Sequence, residues 1–343
     1  MLSKKHIYLS LFISGIAIAG IIGNVYYGRI YRTNVLNDGY LYIPTGVEYD
    51  SVKSLVRPFL RRVAPFDWVA KKKNYPALVK AGRYKLTRGM NNNDLVNMLR
   101  SGNQEPVKVT FNNRHSLEEL AGRIAGQIEP DSLDLLRAFT DKDFLEENGF
   151  TPGTALCMYI PNTYEMYWNT AADDFRHRML KEYRKFWNDE RVAKAKKLNL
   201  TPLQVCILAS IVQKESARAD EYKTIAGLYL NRLKAGWPLQ ADPTVLYAHR
   251  LKEGKDPEIK RVLNKHLEID SPYNTYLHTG LPPGPISMPD ITAIDAVLDP
   301  AYHRYYYMCA AVDKPGQHVF AETLAQHNVN RKKYQRWIRK MGY

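Results

Sequence analysis

The sequence predicts an α+β protein that begins with a transmembrane helix, continues through small α/β modules and ends in a mixed α+β domain with a glutamate-bearing helix. Three observations support this prediction. Residues 7–28 are apolar and uncharged, strand–turn–helix patterns recur over residues 41–124, and residues 201–216 form an apolar helix that contains Glu215. The predicted anchor, module region, second small module and glutamate-bearing domain occupy residues 1–29, 30–105, 106–145 and 146–343.

The composition limits the classes of protein to which the chain can belong. Its 343 residues are 45% hydrophobic, which is enough for two or three domains with cores of their own. The formal net charge of +14 favours an anionic partner, namely nucleic acid, acidic lipid headgroups or an acidic polymer. The basic excess is greatest over residues 57–73 and 176–197, although a solvated helix face explains each run taken alone. Zinc-finger spacing and the RNA-recognition aromatic motif are both missing from the sequence.

The cysteines do not suggest a metal site or a redox pair. Cys157, Cys206 and Cys309 lie far apart in the sequence, and no Cys-x-x-Cys motif occurs. Their number rules out a disulfide-stapled scaffold. Cys206 falls within the apolar helix, where it fits a small core residue.

The uncharged stretch at residues 7–28 is long enough to span a bilayer, which takes about 20 apolar residues. Lys4 and Lys5 precede it and Arg29 and Arg32 follow it, so the charge asymmetry is weak. The free amino terminus favours an N-terminus inside the cell. A cleaved signal peptide is the alternative, but the run is long for one and has no small-x-small cleavage site. We therefore expect a single-pass anchor with the rest of the chain outside the cytoplasm, which argues against nucleic acid as a partner.

A short strand, a polar or glycine turn and an amphipathic helix recur three times after the anchor. Each helix has an Asp, Asn or Ser start signal, and Ser116 with Glu119 forms a capping box. The pattern predicts a repeated small α/β module, which suits glycan binding and a spacer role equally well. The three copies are Leu41–Gly46 with Tyr49–Val56, Tyr84–Gly89 with Asn93–Gly102, and Val107–Asn113 with Ser116–Ile124.

Helical and strand patterns also organise the second half of the chain. The Pro/Gly-rich stretch at residues 271–289 is long and structureless for a compact domain, and such loops tend to be functional. Two strand patterns on either side of Asp-Lys-Pro-Gly predict a hairpin. The predicted elements are an acidic helical segment at 128–150, an aromatic extended segment at 159–168, a basic helix at 171–197, helices at 221–234, from 242 and at 291–298, hairpin strands at 305–312 and 317–322, and a closing helix at 328–341.

The helix predicted over residues 201–216 has a well-defined start. Thr201 is a good N-cap, Pro202 suits the first helical position and Gln204 completes a capping box. The residues that follow are mostly apolar, so we expect this helix to be buried.

Glu215 lies on the apolar side of this helix. At about 100° per residue, Leu208, Ile211 and Val212 fall within roughly 60° of it on the helical wheel. Burial penalises an ionised carboxylate, so the pKa of Glu215 should rise. A carboxyl group that stays protonated near neutrality suits a general acid. The alternative is a buried structural glutamate paired with an arginine.

Five sequence motifs follow one another in the second half of the chain: Leu208–Ser216, Gln240–Val245, Ser271–Tyr276, Gly280–Ile286, and His318–Thr323 with His327 and Asn328. In residues, order and spacing they resemble those of the endolytic murein transglycosylases, the MltG or YceG-like family. The likeness covers nearly the whole chain, anchor included. Gln213 and Ala241 depart from the family pattern, which often has Glu and Thr at these positions.

The resemblance implies a membrane-anchored lyase that cuts glycan strands of nascent peptidoglycan internally, at the MurNAc–GlcNAc bond. It also implies that the N-terminal modules are LysM-like and that the catalytic glutamate of the family falls on Glu215. This residue would protonate the glycosidic oxygen and then deprotonate the 6-hydroxyl of MurNAc, which attacks C1 and leaves a 1,6-anhydro end. The implied partners are peptidoglycan strands, the cytoplasmic membrane and peptidoglycan synthases, with the catalytic domain on the periplasmic side and no cofactor.

Seven further residues are candidates for binding the glycan. Tyrosine rings and amide groups suit sugar faces and acetamido groups, which favours the residues of the long loop. A helix cap explains Asp242 fully, and a packed hairpin is the alternative for His318 and Glu322, which alternate onto one strand face. The candidates are Gln240, Asp242, Tyr273, Asn274, Tyr276, His318 and Glu322.

Two other functions stay open from the sequence alone. A muramidase would hydrolyse the same bond with water, and most glycosidases use two carboxylates. Glu221 and Glu165 are conceivable second carboxylates, although neither lies in a comparable apolar stripe. A non-enzymatic scaffold that binds glycans would need no acid.

Overall fold

The computed structural model describes residues 4–255, 257–259 and 262–340. The chain forms two compact units, each assembled from several segments. The N-terminal unit contains the chain up to Val109, Gln127–Pro130 and Tyr164–Ala171. The C-terminal unit contains Thr110–Gly126, Asp131–Thr163 and the chain from Ala172 onward. The first residues of the predicted anchor, 1–3, and the predicted last helical residue, Met341, lie outside the described residues.

Helix α1 (Lys4–Tyr31) contains the predicted membrane anchor. Residues Lys5–Tyr31 are long and apolar enough to cross a membrane, and the most apolar part of this stretch is not buried in the protein. Large side chains such as Phe12, 67% exposed, have no protein core to cover them. An apolar helix exposed over this length is consistent with single-pass anchoring in lipid.

The N-terminal unit has a two-stranded sheet covered by helices. The strands pair antiparallel, with Gly39 opposite Leu86 and Ile43 opposite Gly82. Alternate strand residues such as Leu41 are buried, because successive side chains point to opposite faces. The elements are β1 (Gly39–Ile43), α2 (Tyr49–Val56), α3 (Val63–Lys72), β2 (Gly82–Leu86) and α4 (Asn92–Ser101).

The three predicted strand–helix repeats do not form three equivalent modules. β1 and β2, from the first two repeats, pair with each other. β3 (Val107–Phe111), from the third repeat, pairs with β4 (Asn162–Met166), which lies in the predicted aromatic extended segment. Periodicity shows which residues are in strands but not which strand supplies the ladder partner, so the sequence pattern did not reveal this pairing.

The segment predicted as a second small module, residues 106–145, is divided between the two units. Its helices α5 (Leu117–Ala125) and α6 (Ser132–Phe139) pack against each other in the C-terminal unit, and α7 (Lys142–Glu147) follows. The side chain of Ser116 caps α5 as predicted, but Glu119 accepts from the N–H of His115 instead of Ser116, so only half of the predicted capping box forms. The helix start was therefore evident from local sequence, whereas the grouping of the helices depends on packing.

The long basic helix predicted at residues 171–197 is two helices, α8 (Ala172–Phe186) and α9 (Asp189–Lys197). The break falls at Asn188, whose side chain accepts a hydrogen bond from the backbone N–H of Arg191. Asparagine is a strong N-cap residue, so it begins a new helix within the basic run.

The C-terminal unit is built around α10 (Pro202–Glu215), which contacts α11 (Tyr222–Lys234) and α13 (Ile291–Leu298). Thr201 and Gln204 form the predicted capping box, and the side chains from Val205 to Val212 are buried. Two strands, β5 (Tyr307–Ala310) and β6 (His318–Ala321), form the predicted hairpin. The other helices of this half of the chain are α12 (Asp242–Glu253) and α14 (Leu324–Lys340).

The Pro/Gly-rich stretch at residues 271–289, all of which the structure describes, contains no helix or strand. The chain at its end is attached to α10. The Ser210 hydroxyl accepts a hydrogen bond from the N–H of Ile286 at 3.0 Å. Gln213 donates to the Asp290 carboxylate at 2.6 Å and accepts from the Asp290 N–H at 2.7 Å. These bonds hold the end of the loop beside the C-terminal half of α10.

Candidate active site

Glu215 is the last residue of α10, where the chain leaves the core. Ser216 has an extended backbone and ends the helix. Leu208, Ile211 and Val212 on the same side of the helix are fully buried, whereas Glu215 is only half-buried. Glu215 therefore lies at the edge of the apolar core, and part of the residue is exposed to solvent.

Burial raises the pKa of Glu215 to about 7. The hydroxyl of Tyr229 donates a hydrogen bond to Glu215 Oε1 at 2.5 Å, which stabilises the ionised form and opposes this rise. The negative charge of Asp242 adds to the rise, and the positive charge of Arg232 reduces it. Desolvation is the largest of these effects, so both protonation states of Glu215 are populated near neutral pH. A group that alternates between proton donor and proton acceptor needs this property.

Arg232 lies on α11 beside this carboxylate but does not form an ion pair with it. It is buried, and its guanidinium donates to the carbonyl oxygens of Tyr306 at 2.8 Å and Leu239 at 2.5 Å. Burial lowers the pKa of Arg232. Across the residues that the structure describes, no Lys or Arg nitrogen lies within 4.0 Å of the Glu215 carboxylate. The arrangement thus differs from the structural Glu–Arg pair that was the alternative for Glu215.

Asp242 and Tyr276 supply a second polar group close enough to affect Glu215 electrostatically. The hydroxyl of Tyr276 donates to Asp242 Oδ1 at 2.6 Å, and the side chain of Asp242 is exposed. The structure corrects the expected role of Asp242 as a helix cap. Ala241 occupies the N-cap position of α12, and Asp242 is the first helical residue. Its carboxylate faces Tyr276 instead of the backbone N–H groups of the helix.

Gln240 has a strained backbone next to this group. Its φ of 49° lies in the left-handed region, which a non-glycine residue adopts at a cost of order 1–3 kcal/mol. Two hydrogen bonds to Thr275 stabilise this backbone conformation. The Gln240 N–H donates to the Thr275 carbonyl and the Ala241 N–H donates to Thr275 Oγ1, both at 3.0 Å. The side chain of Gln240 is exposed, as a residue that contacts a ligand should be.

Asn274 and Tyr273, two loop residues predicted to bind the glycan, contact other parts of the protein. Asn274 is fully buried, and its amide donates to the carbonyl oxygens of Leu267 and Ile269 at 2.8 and 2.9 Å. The ring of Tyr273 packs edge-on against Tyr247 with centroids 4.9 Å apart. The Asn274 amide is thus used within the protein to shape the loop, whereas Tyr273 packs against Tyr247 and stays half-buried, so its role in binding the glycan stays a prediction.

Glu221 forms a separate hydrogen-bonded group with His318. The backbone N–H of His318 donates to one carboxylate oxygen at 2.7 Å, and His318 Nδ1 lies 3.0 Å from the other. Ser216 donates to the same carboxylate at 2.8 Å. Burial acts to raise the pKa of Glu221, but these hydrogen bonds outweigh it and hold the pKa below its usual range. Glu221 thus remains ionised and connects β6 to the residue that follows Glu215.

Glu322 does not share a strand face with His318 as expected. β6 ends at Ala321, so Glu322 lies just beyond the strand, and its side chain is exposed. Glu165, one of the conceivable second carboxylates, is an exposed residue of β4.

Sequence analysis missed Tyr229 and Arg232, the two residues of α11 that affect Glu215 most directly. Both are buried in a helix whose start and end were predicted correctly to within one residue. A buried tyrosine hydroxyl or guanidinium needs a hydrogen-bond partner. A tyrosine and an arginine in a helix predicted to be part of the core therefore indicate that polar partners lie nearby. The sequence does not show that one of the partners is Glu215.

Comparison with known proteins places the chain in a family. Residues 41–333 match the model of the YceG-like family, so the chain belongs to that family. It is 31% identical over 311 residues to the endolytic murein transglycosylase of Bacillus subtilis, covering 85% of this chain and 83% of the relative. The protein of the same name from Streptococcus pneumoniae serotype 2 is 30% identical over 292 residues, covering 77% of this chain. The match spans 52%, about half, of that longer relative.

A crystal structure supports the same assignment. A yceG-like protein from Listeria monocytogenes is similar to this chain with a TM-score of 0.56 and 27% sequence identity, covering 85% of this chain and 98% of the other. The shared name of the curated relatives identifies the class of the enzyme as a lytic transglycosylase, which is a lyase.

Proposed function

We propose that this protein is a membrane-anchored endolytic transglycosylase that cleaves the MurNAc–GlcNAc bond within nascent peptidoglycan strands. The observation that carries the proposal is the pKa of Glu215, raised to about 7 in a half-buried residue at the end of α10. The names of the relatives support the substrate class.

Glu215 acts first as the acid. Its proton passes to the glycosidic oxygen as the bond from that oxygen to C1 of MurNAc breaks. The 2-acetamido group of the sugar supports C1 while positive charge develops there. The ionised Glu215 is then stabilised by the hydrogen bond from Tyr229.

Glu215 acts next as the base. It takes the proton of the MurNAc 6-hydroxyl while O6 forms a bond to C1, which gives a 1,6-anhydro end. The carboxyl group is protonated again and no water is consumed. A single residue performs both steps, which a pKa near the working pH makes efficient.

Gln240, Asp242 and Tyr276 are the residues that we assign to the glycan near Glu215. Gln240 and Asp242 have exposed side chains, and Tyr276 is hydrogen-bonded to Asp242. An amide and a tyrosine ring suit acetamido groups and sugar faces. We assign His318, through Glu221 and Ser216, to positioning the end of α10, and leave Glu322 as an exposed residue at the rim of the hairpin.

Anchoring by α1 completes the proposal. We infer that α1 spans the cytoplasmic membrane with its N-terminus inside, so that the rest of the N-terminal unit and the C-terminal unit lie on the periplasmic side. The β1–β2 sheet with α2 and α3 is the segment to which we assign the LysM-like, glycan-binding role. A peptidoglycan synthase that makes the strand is the expected partner enzyme.

One observation favours a muramidase as the second candidate. Asp242 places a second carboxylate near enough to Glu215 to raise its pKa, and hydrolysis with two carboxylates would use such a pair. The two functions differ in their products.

The test is mass spectrometry of peptidoglycan digested by the full chain in detergent. New ends lighter by one water are expected from the transglycosylase, whereas reducing ends would identify a muramidase and overturn the proposal. Glu215→Gln should give no new ends while circular dichroism stays unchanged. Glu147→Gln, which changes an exposed carboxylate of α7, is the matched control and should cleave normally. Unchanged cleavage by Glu215→Gln would contradict the role of Glu215.

A further inference from the structure

A second charged site lies in the N-terminal unit, where the end of α1 approaches α3. A recess of about 540 Å³ opens there to solvent. Four basic side chains, one carboxylate and one indole supply its polar and aromatic lining: Arg29, Arg62, Lys71, Lys72, Asp67 and Trp68.

Most of the positive charge in this recess has no counter-ion among the residues that the structure describes. Lys71 and Asp67 form an ion pair at 2.8 Å. Across the described part of the chain, no carboxylate lies within 4.0 Å of Arg29, Arg62 or Lys72. Three unneutralised cations around one cavity favour an anion with several acceptor oxygens, and a phosphate group has that chemistry.

Aromatic contacts hold two of these cations in place. The guanidinium of Arg29 lies 5.5 Å from the centre of the Trp68 ring, and the ammonium of Lys72 lies 5.9 Å from it. Cation–π contacts of this kind orient the charged groups without neutralising them. The backbone of Arg29 is also fixed, because the side-chain amide of Asn92 donates to its carbonyl oxygen at 2.7 Å.

The recess lies at the level where α1 leaves its apolar stretch. Tyr26, near the end of that stretch, contacts Trp68 edge-on with ring centroids 5.3 Å apart. Tryptophan and tyrosine side chains concentrate at membrane–water interfaces, and Arg and Lys side chains there reach toward lipid headgroups. The position of the recess therefore favours a phosphate that belongs to a lipid over one that is free in solution.

We propose that this recess binds the phosphate of an anionic phospholipid headgroup beside α1. The proposal rests on the membrane anchoring of α1 given under Proposed function. Lipid binding here would hold the N-terminal unit against the membrane surface by a second contact in addition to the helix.

The experiment uses the full chain in nanodiscs that contain equal amounts of phosphatidylglycerol and phosphatidylcholine. Native mass spectrometry of the released protein counts the lipids of each class that stay bound. Arg62→Gln with Lys72→Gln removes two cations of the recess. Arg88→Gln with Lys85→Gln is the matched control, since it removes the same charges from exposed positions of the same unit.

The wild-type chain should retain phosphatidylglycerol in preference to phosphatidylcholine. The recess variant should lose about thirtyfold in this preference, since each cation near a membrane surface contributes roughly a factor of five. The control variant should change it less than about twofold. Equal retention of both lipids by the wild type, or equal losses in the two variants, would overturn the proposal.

Two further measurements distinguish lipid binding in the recess from binding of a free anion and from failure of the membrane anchor. Inorganic phosphate that binds the chain in pure phosphatidylcholine nanodiscs through Arg62 and Lys72, without any preference for phosphatidylglycerol, would assign the recess to a free anion and reject the lipid. Release of the wild-type chain from membranes by alkaline carbonate would contradict the anchor itself. A chain that resists carbonate but shows no lipid preference would leave the anchor standing and refute only the recess.

Discussion

The end of α10 and the start of α11 hold two carboxylates, six residues apart, whose pKa values shift in opposite directions. Burial raises the pKa of Glu215 to about 7. Burial acts the same way on Glu221, yet its pKa is lowered, because His318 and Ser216 together supply three hydrogen bonds. Glu215 accepts one, from Tyr229, and has the negative charge of Asp242 nearby.

The comparison shows that burial alone does not make a proton donor. The direction of the pKa shift depends on the size of the desolvation penalty and on the hydrogen bonds to the ionised form that offset it. A carboxylate with three donors is a structural group that stays ionised, whereas one with a single donor exchanges its proton near neutral pH. Two variants of matched chemistry, Glu215→Gln and Glu221→Gln, should therefore behave differently in every assay.

The largest expected effect is on activity. Glu215→Gln should lower the rate of glycan cleavage by about 10²–10⁴-fold, the range typical of a lost general acid. Glu221→Gln removes no proton donor, so its loss of activity should be far smaller. That loss should be proportional to the decrease in folded protein. Cleavage rates normalised to the folded fraction measure this difference. Equal normalised losses in both variants would remove the distinction between the two carboxylates.

The next largest effect is on stability as a function of pH. The folded pKa of Glu215, about 7, lies above its ordinary value of 4.5. Protonated Glu215 therefore contributes fully to the free energy of unfolding below about pH 4.5, and this contribution is lost as the pH rises to about 7. At pH 8, Glu215→Gln should be more stable than the wild type by up to about 3 kcal/mol, and this gain should vanish near pH 4.

Glu221→Gln should show the opposite trend. The folded pKa of Glu221 is depressed, so its contribution is present above the ordinary value and is lost as the pH falls. The variant should be destabilised by about 1–3 kcal/mol at neutral pH, with a smaller difference in acid. Thermal unfolding of both variants in detergent across this pH range checks the two signs together. Parallel curves would contradict the assigned shifts.

A smaller effect tests the single hydrogen bond to Glu215. Tyr229→Phe removes the donor that favours the ionised form, so the pKa of Glu215 should rise by about one unit. The alkaline limb of the pH–rate profile should then move to higher pH. Tyr302→Phe, at a side chain that is 93% exposed, is the control and should leave the profile unchanged. A shift to lower pH would show that Tyr229 does not stabilise the ionised carboxylate.

The smallest expected effect is a shift of the pH–rate profile in the direction opposite to that of Tyr229→Phe. Asp242→Asn removes a negative charge that raises the pKa of Glu215, so the alkaline limb should move to lower pH by less than about one unit. Asp174→Asn, at an exposed position of α8, should not move it. A muramidase that uses Asp242 directly would lose most of its activity in this variant, with little change in the profile of what remains.

Local features of the fold could be predicted because they depend on residues close together in the sequence. The capping box of Thr201 and Gln204 lies within four residues, and the apolar side of α10 follows from helical periodicity. The break at Asn188 was equally local but was hidden within a continuous basic run. Asp242 was misjudged as a cap because both roles look alike in the sequence, and the hydroxyl of Tyr276, 34 residues away, is what separates them.

The order of residues by itself determined an apolar N-terminal helix, the start of α10 and a carboxyl group on the apolar side of that helix. Each of these follows from periodicity and short-range hydrogen bonding. The tertiary structure decided which carboxylate keeps its proton, because the donors to Glu215 and Glu221 come from α11 and β6. It also decided the pairing of β1 with β2 and the gathering of cations beside α1. Contacts between distant segments depend on how helices and strands pack, and no short-range pattern in the chain encodes them.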